Sequence, residues 1–206
     1  AEDPKSMMLR FHTQTAGVSL TAQQPEINIA RTAIEALAGV LGGTQSLHTN
    51  SMDEALALPT EKAARIALRT QQVIAHETGV TDVVDPLGGS WFVEELTDRL
   101  ESEAELMFAH IKEAGEGSML EGAFELIDEG WYQGSIADAA YDFEKKVNAG
   151  RRIVVGVNDF TEGNEEDQID LLKITTEDEQ RQIKNLQQIK SDRNQQAVDE
   201  ALIALS

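Results

Sequence analysis

The most constraining feature of this sequence is a repeated spacing. Three short apolar runs, each a candidate β-strand, end in a polar residue, and these ends are His12, His48 and Asp85. They lie 36 and 37 residues apart. A repeated strand, loop and helix of this length is typical of parallel sheets, because the chain must cross over and return in the same direction. The sequence therefore predicts an α/β fold, as part of a (β/α)₈ barrel or of an open parallel sheet.

The elements of the repeat can be placed from the hydrophobic pattern. The strands are predicted over residues 7–12, 45–49 and 80–85. Apolar residues at three- and four-residue steps predict helices over 27–41 and 61–78, and a third helix follows Ser90. Only three units are present where a closed barrel needs eight. We therefore expect the missing strands to come from another chain segment or another subunit.

Beyond Gly115 the pattern becomes mainly helical. Helices are predicted over 118–129 and 135–148, and two more over 176–205 with a break near residues 191–192. One short strand is predicted near 152–157, followed by an acidic loop at 159–170. We divide the chain into 1–115, the strand–helix units, and 116–206, a helical region and linker.

Composition excludes several classes of function. The chain has 17 Lys+Arg against 37 Asp+Glu, a formal net charge of −20, which argues against nucleic-acid binding. No apolar run reaches the roughly 20 residues of a membrane span, and no signal peptide is recognisable, so we expect a cytoplasmic protein, with the mitochondrial matrix left open. Cysteine is absent and no His-Glu-x-x-His occurs, so no metal site is predicted.

Polar side chains gather where the predicted strands end. Arg10, His12 and Gln14 alternate along the first strand and share one face, which in a barrel would be the interior. A second cluster runs from Gln45 to Glu54. Buried polar groups need hydrogen-bond partners. Those partners are either a bound ligand or one another, and the spacing alone leaves both readings open.

Three segments of the sequence resemble a known family. They run from Arg10 to Thr21, from Gly42 to Asn50 and from Asp53 to Thr60. Together they resemble the large subunit of the methylmalonyl-CoA mutase family, the adenosylcobalamin-dependent acyl-CoA mutases. The resemblance extends in order over nearly the whole chain. One departure is Val18, which follows Gly17 where the better-known mutases have Trp.

The resemblance implies a fold and a reaction. Residues 1–115 would be the last part of the (β/α)₈ barrel that binds acyl-CoA, and 116–206 the linker toward a cobalamin-binding domain. The reaction would be a radical 1,2-rearrangement of the methylmalonyl-CoA to succinyl-CoA type, an isomerase activity that needs adenosylcobalamin. The motif Asp-x-His-x-x-Gly is absent, so another domain or subunit would supply the cobalt ligand.

The resemblance also implies site residues and partners. Acyl-CoA would be bound by Arg10, His12, Gln14 and Gln45. The cofactor would be faced by Gly17, Asn50, Glu54 and Ala57. Expected partners are the acyl-CoA substrate, the remaining barrel segment and a cobalamin-binding domain or small subunit, with dimerisation left open. The alternative is a non-catalytic assembly subunit, or an isolated fragment, of such a mutase.

Overall fold

The computed structural model describes residues 3–164 and 169–205. The chain divides into two compact units, Ala1–Asp170 and Leu171–Ser206. Within the described residues the fold is mixed α/β, mostly helical, with a small parallel sheet. No helix in these two ranges is both long and apolar enough to cross a bilayer.

The first unit begins with a two-stranded parallel sheet. Strand β1 is His12–Gln14 and strand β2 is Ser46–His48, with His12 opposite Ser46 and Gln14 opposite His48. Helix α1, Asn28–Leu41, connects them and confirms the predicted crossover. The first strand was expected over 7–12, but its ladder starts only at His12. Residues 8–11, which precede it, are exposed, since no neighbouring strand among the described residues pairs with them.

Helix α2, Glu61–Glu77, follows the second strand as predicted. Thr60 caps its first turn, since its hydroxyl accepts a hydrogen bond from the Ala63 amide at 3.3 Å. The helix buries a face of small and branched side chains, Ala63, Ala67 and Ile74. It is fastened to the end of β2, because the Thr49 hydroxyl donates to the Ala67 carbonyl at 2.8 Å.

The strand predicted over 80–85 is not formed. A 3₁₀ turn, Val80–Asp82, takes its place, with Gly79 left-handed before it and Asp85 at a φ of 48° after it. The side chain of Val84 is 98% exposed. The apolar run has strand propensity, but a strand needs pairing on its edges, and no third strand is present among the described residues. The described residues therefore form a two-stranded sheet and not a closed barrel.

Three helices follow, and all three lie close to their predicted positions. They are α3, Trp91–Ala114, α4, Met119–Asp128, and α5, Trp131–Asn148. Helices α3 and α4 form a tight hairpin in which Gly122 lies against the backbone of α3. A Cβ at Gly122 would overlap the carbonyl oxygen of Ile111, so a larger residue would push the helices apart.

The strand predicted near 152–157 is replaced by a turn. The Asn158 side chain closes it: its Oδ1 accepts from the Val154 amide at 2.7 Å, and its Nδ2 donates to the carbonyls of Val147 and Arg152. Gly156 has a φ of 80°, which interrupts an extended chain. Only an isolated bridge joins Val155 to Asp159. Of the predicted acidic loop, residues 162–164 form a turn, and 165–168 lie outside the described residues.

The second unit contains two helices, α6, Thr176–Asp192, and α7, Gln195–Leu205. The predicted break near residues 191–192 is confirmed. Thr175 and Asp178 form a capping box at the start of α6. Hydrogen bonds from the backbone and side chain of Thr175, and then from Arg181, hold the pKa of Asp178 at about 2.

The long helix α3 has no buried residue. Its expected apolar face is exposed, including Leu96, Leu100 and Met107. Trp91 and Phe92 at its start are exposed as well. So many solvent-facing apolar side chains on one helix are typical of an interaction surface.

The buried hydroxyl of Thr32 gives a first test of the packing. Thr32 lies on α1, is almost fully buried, and its Oγ1 has no hydrogen-bond partner among the described residues. We expect Thr32→Val to raise the free energy of unfolding by about 1 kcal/mol in urea titrations, because it removes a desolvated hydroxyl. Thr70→Val is the matched control, since that hydroxyl donates to the Ile66 carbonyl at 3.0 Å. A destabilised Thr32→Val protein would contradict this prediction.

Candidate functional site

The two parallel strands end at the same edge of the sheet. Strand β1 ends at Gln14 and strand β2 at the opposing His48. The loops that follow, 15–19 and 49–54, therefore lie side by side. Carboxyl ends of parallel strands are where α/β proteins place their ligand sites.

One face of the sheet is open. His12 and Gln14 are exposed, whereas Thr13 between them is half-buried and lies against Gly39 of α1. This is the alternation expected from the sequence. His12 Nδ1 is 2.7 Å from the Ser46 hydroxyl, so the histidine is positioned by the neighbouring strand. Arg10 is exposed just before β1.

Gln45 lies at the other end of β2. Its Oε1 accepts from the Phe11 amide at 2.7 Å, and its Nε2 donates to the Gly43 carbonyl at 2.8 Å. The side chain therefore joins the starts of the two strands. The structure does not bring Gln45 together with the residues at the carboxyl edge.

Asn50 connects the two carboxyl-edge loops. The Asn50 Oδ1 accepts a hydrogen bond from the Thr15 hydroxyl at 2.6 Å. The backbone amide of Asn50 donates back to Thr15 Oγ1 at 2.9 Å. Both residues are buried. The Asn50 Nδ2 donates to the Glu54 carboxylate. The reciprocal pair fixes the orientation of the Asn50 amide group.

Glu54 is held by the backbone of its own turn. Its Oε1 accepts from the Ser51 amide at 3.0 Å, while Oε2 accepts from Asn50. The residue is half-buried. The Ser51 hydroxyl is a third, more distant donor at 3.4 Å from Oε1. A carboxylate has about four acceptor positions, so Glu54 can still accept from a ligand hydroxyl. Ala57, also half-buried, lies one turn further on, with its amide donating to the Asp53 carbonyl at 3.0 Å.

Gly17 comes within contact distance of this turn. A Cβ at Gly17 would lie 3.4 Å from Asn50 Nδ2. The structure thus brings together Gly17, Asn50 and Glu54, three residues that the family resemblance placed on the cofactor side. Glycine places no side chain against the Asn50 amide.

Glu35 holds the Gly17 loop, and sequence analysis missed it. Its carboxylate accepts from the Ala16 amide at 2.7 Å and from the Ser19 hydroxyl at 2.6 Å. Glu35 is seven residues after Asn28 on α1, so the two side chains share a helix face. The sequence signal for these two residues is their seven-residue spacing, which places two polar side chains on the helix face that packs against the sheet.

Asp53 fastens the turn to helix α2 and was also missed. It is fully buried; one oxygen accepts from the Ser51 hydroxyl at 2.7 Å, the other from the amide and hydroxyl of Thr60, both at 2.9 Å. Burial acts to raise the pKa of Asp53, but the hydrogen bonds from Ser51 and Thr60 outweigh it and hold the pKa below its ordinary 3.8. Asp53 is therefore a buried, hydrogen-bonded carboxylate.

Asn28 fixes the same turn from the other side. The residue is fully buried at the start of α1. Its Nδ2 donates to the carbonyls of Met52 and Thr21, both at 2.9 Å. Its Oδ1 accepts from the Thr21 amide at 3.0 Å and from Arg31 at 2.7 Å. All four hydrogen-bonding positions of the amide are thereby used.

A cleft of about 400 Å³ opens beside β2 and α2. Its polar lining includes His12, His48, Glu54 and Gln71, and apolar residues complete it. No group of three or more His, Cys, Asp or Glu suited to a metal ion occurs in the described part of the chain. The arrangement offers hydrogen bonds and one oriented carboxylate, which suits binding and positioning a ligand.

The buried carboxylate of Asp53 predicts a pH-dependent stability. The pKa of Asp53 is lower in the folded state than in the unfolded state. Its stabilising contribution to the free energy of unfolding is therefore full above about pH 4 and is lost as the pH falls through the folded-state pKa. We expect Asp53→Asn to lower the free energy of unfolding by about 2 kcal/mol at pH 7. The difference from the wild type should shrink below pH 4 in denaturant titrations. A difference independent of pH would contradict the assignment.

Comparison with known proteins identifies the family. The profile of the family described as methylmalonyl-CoA mutase matches residues 1–206. The 2-hydroxyisobutanoyl-CoA mutase large subunit of Aquincola tertiaricarbonis is 43% identical over the full chain. The methylmalonyl-CoA mutases of Escherichia coli and Homo sapiens are each 44% identical over the full chain. The chain spans 36%, 28% and 26% of these three relatives, respectively. The chain belongs to the methylmalonyl-CoA mutase family.

Proposed function

We propose that this chain is part of an adenosylcobalamin-dependent acyl-CoA mutase that catalyses a radical 1,2-rearrangement of the carbon skeleton, of the methylmalonyl-CoA to succinyl-CoA type. Family membership supports the reaction class. The observation that carries the proposal is the close approach of Gly17 to Asn50, which donates a hydrogen bond to Glu54, at the carboxyl edge of the sheet. The chain supplies one wall of the acyl-CoA and cofactor sites.

The acyl-CoA would lie along the open face of the sheet. His12 and Gln14 present polar groups there without a strong acid or base. The chain carries a net charge of −20, which repels an anionic CoA, so a local cation is needed. Arg10 is exposed at the start of this face and would supply it.

The cofactor would lie over Gly17 and the Asn50–Glu54 turn. When bound, adenosylcobalamin supplies a cobalt–carbon bond that breaks homolytically and initiates the radical rearrangement. The space above Gly17 and the spare acceptor positions of Glu54 fit a nucleoside hydroxyl near this turn. Thr15 and Asn50 keep the carboxylate oriented, so binding requires little rearrangement of the turn.

The proposed partners follow from the exposed face of α3 and from the two-stranded sheet of the described residues. The exposed face of α3 would be covered by the remaining barrel segment, and the barrel would shield the reacting groups from water. A cobalamin-binding domain or small subunit would supply the cobalt ligand, and dimerisation stays open. We place the protein in the cytoplasm, or in the mitochondrial matrix if the source is a eukaryote, since the human relative is named as mitochondrial.

A non-catalytic assembly subunit is the second candidate. The exposed apolar face of α3 would serve assembly equally well. The satisfied polar cluster at Thr15, Asn50 and Glu54 favours the catalytic candidate, since an assembly role gives no reason to retain an oriented carboxylate beside a glycine. A measurement of ligand binding distinguishes the mutase from the assembly subunit.

Native mass spectrometry tests the proposal. The purified protein is measured alone and after adding adenosylcobalamin and an acyl-CoA in turn. A complex that holds the missing barrel segment and takes up both ligands supports the mutase. A complex that assembles but takes up neither supports the assembly subunit and contradicts the proposed function.

Arg10 should act mainly on acyl-CoA binding. In the assembled mutase we expect Arg10→Ala to raise the KM for acyl-CoA about tenfold while kcat stays within about twofold, because a lost ground-state ion contact weakens uniform binding. Steady-state kinetics measure both constants. Arg99→Ala is the control, since this exposed arginine pairs with Glu103 on α3. An unchanged KM would remove Arg10 from the substrate site.

Glu54 should act on the cofactor. Glutamine keeps an acceptor for the Ser51 amide, but its NH₂ group would face Asn50 Nδ2, another donor. We expect Glu54→Gln to raise the apparent Kd for adenosylcobalamin about tenfold and to leave the KM for acyl-CoA within about twofold. Cofactor titration of the assembled mutase checks this. Normal titration and turnover would exclude a cofactor role for Glu54.

A further inference from the structure

We propose that the segment 153–164 is a positioning element for the turn 50–54, acting through Gln24, Arg31 and Asn28. It would thereby control how the protein uses its cofactor from outside the strand–helix units. The mechanical coupling stands on contacts within the chain. Its effect on the cofactor rests on the proposed function.

The first connection is Gln24. Its Nε2 donates to the Phe160 carbonyl at 2.8 Å and to Asn164 Oδ1 at 2.7 Å, residues 136 and 140 positions later in the chain. A Cβ at Gly156 would lie 3.1 Å from the Gln24 side chain, so the segment approaches closely. Gln24 itself has a φ of 46°. A non-glycine residue keeps this unfavourable backbone only where its surroundings hold it.

The second connection is Arg31 on α1. Its Nη2 donates to the Val155 carbonyl at 2.8 Å. Its Nη1 donates to Asn28 Oδ1 at 2.7 Å and to Thr21 Oγ1 at 2.9 Å. The planar guanidinium thus holds the segment with one nitrogen and Asn28 with the other.

Asn28 completes the path to the turn. Its Nδ2 donates to the carbonyl of Met52, which lies between Asn50 and Glu54. Asn28 and Met52 are both buried, so this bond is shielded from competing water. Three consecutive hydrogen bonds, from Val155 through Arg31 and Asn28 to Met52, connect the segment with the turn.

The segment is itself cross-linked. Asn164 Nδ2 donates to the Gly156 carbonyl at 2.8 Å, and Asn158 fastens the preceding turn to the end of α5. A displacement of 153–164 would therefore move both anchor points, at Gln24 and at Arg31, together. His12 and Gln14 are outside this path, so the cofactor side should respond more than the acyl-CoA side.

Hydrogen–deuterium exchange of the full chain tests the coupling. Gln24→Ala removes the contact of Gln24 with the segment, Gly156→Ala crowds it from the other side and strains a backbone with a φ of 80°, and Arg31→Lys weakens the bridge to Asn28. We expect each variant to speed amide exchange in both 153–164 and 50–54 by about tenfold, with β1 unchanged. Gln23→Ala is the matched control, since Gln23 is the exposed neighbour in the same loop. Faster exchange confined to 153–164 in Gln24→Ala and Gly156→Ala would overturn the proposal.

Kinetics of the assembled mutase test the consequence. We expect Gln24→Ala to raise the apparent Kd for adenosylcobalamin about fivefold and to leave the KM for acyl-CoA within about twofold. Equal changes in both constants, or none, would overturn the cofactor-positioning role. If the wild-type assembly binds no cobalamin, the proposed function fails and the positioning of a cofactor fails with it. In that case the hydrogen–deuterium exchange data still test whether the segment 153–164 is coupled to the turn 50–54.

Discussion

The buried amide of Asn28 is the interaction on which the arrangement of the first unit depends. It holds the loop after β1 through Thr21 and the turn after β2 through Met52, and it is oriented by Arg31. The loop after β1 contains only two short 3₁₀ turns, Gly17–Ser19 and Pro25–Ile27, among the described residues, so it depends on this side chain for its position. Removing one partner would leave buried donors and acceptors unpaired, at a cost of about 1–3 kcal/mol for each group. Together with the Thr15–Asn50 pair, this side chain determines how the two loops meet.

Around this amide, carboxylates set the shape of the site from its periphery. Glu35 fixes the loop that carries Gly17, and Asp53 fixes the turn to the start of α2. Glu54 is left with acceptor capacity toward the open side. An acidic protein can therefore use its carboxylates as structural acceptors for backbone amides and keep the ligand-facing surface largely neutral.

The helices could be predicted from the sequence because their signals are local. Thr60 and Thr175 cap the helices that follow them, and the apolar spacing sets the faces. The prediction of a strand at 80–85 was wrong because a strand forms only when a neighbouring strand pairs with it, and the local sequence does not supply that neighbour. Asn50 and Glu54 were proposed from the family resemblance, whereas Glu35 and Asp53 were missed. Their partners are backbone groups that come near only after the chain has folded.

The close crossing at Gly122 has a consequence for the order of folding. Helices α3 and α4 are joined by a short connection, so their contacts are local in sequence and lose little chain entropy on closure. The sheet, by contrast, must bring together residues separated by a whole helical crossover. The helical hairpin should therefore form early and provide a preformed surface before the parallel strands have found their partners.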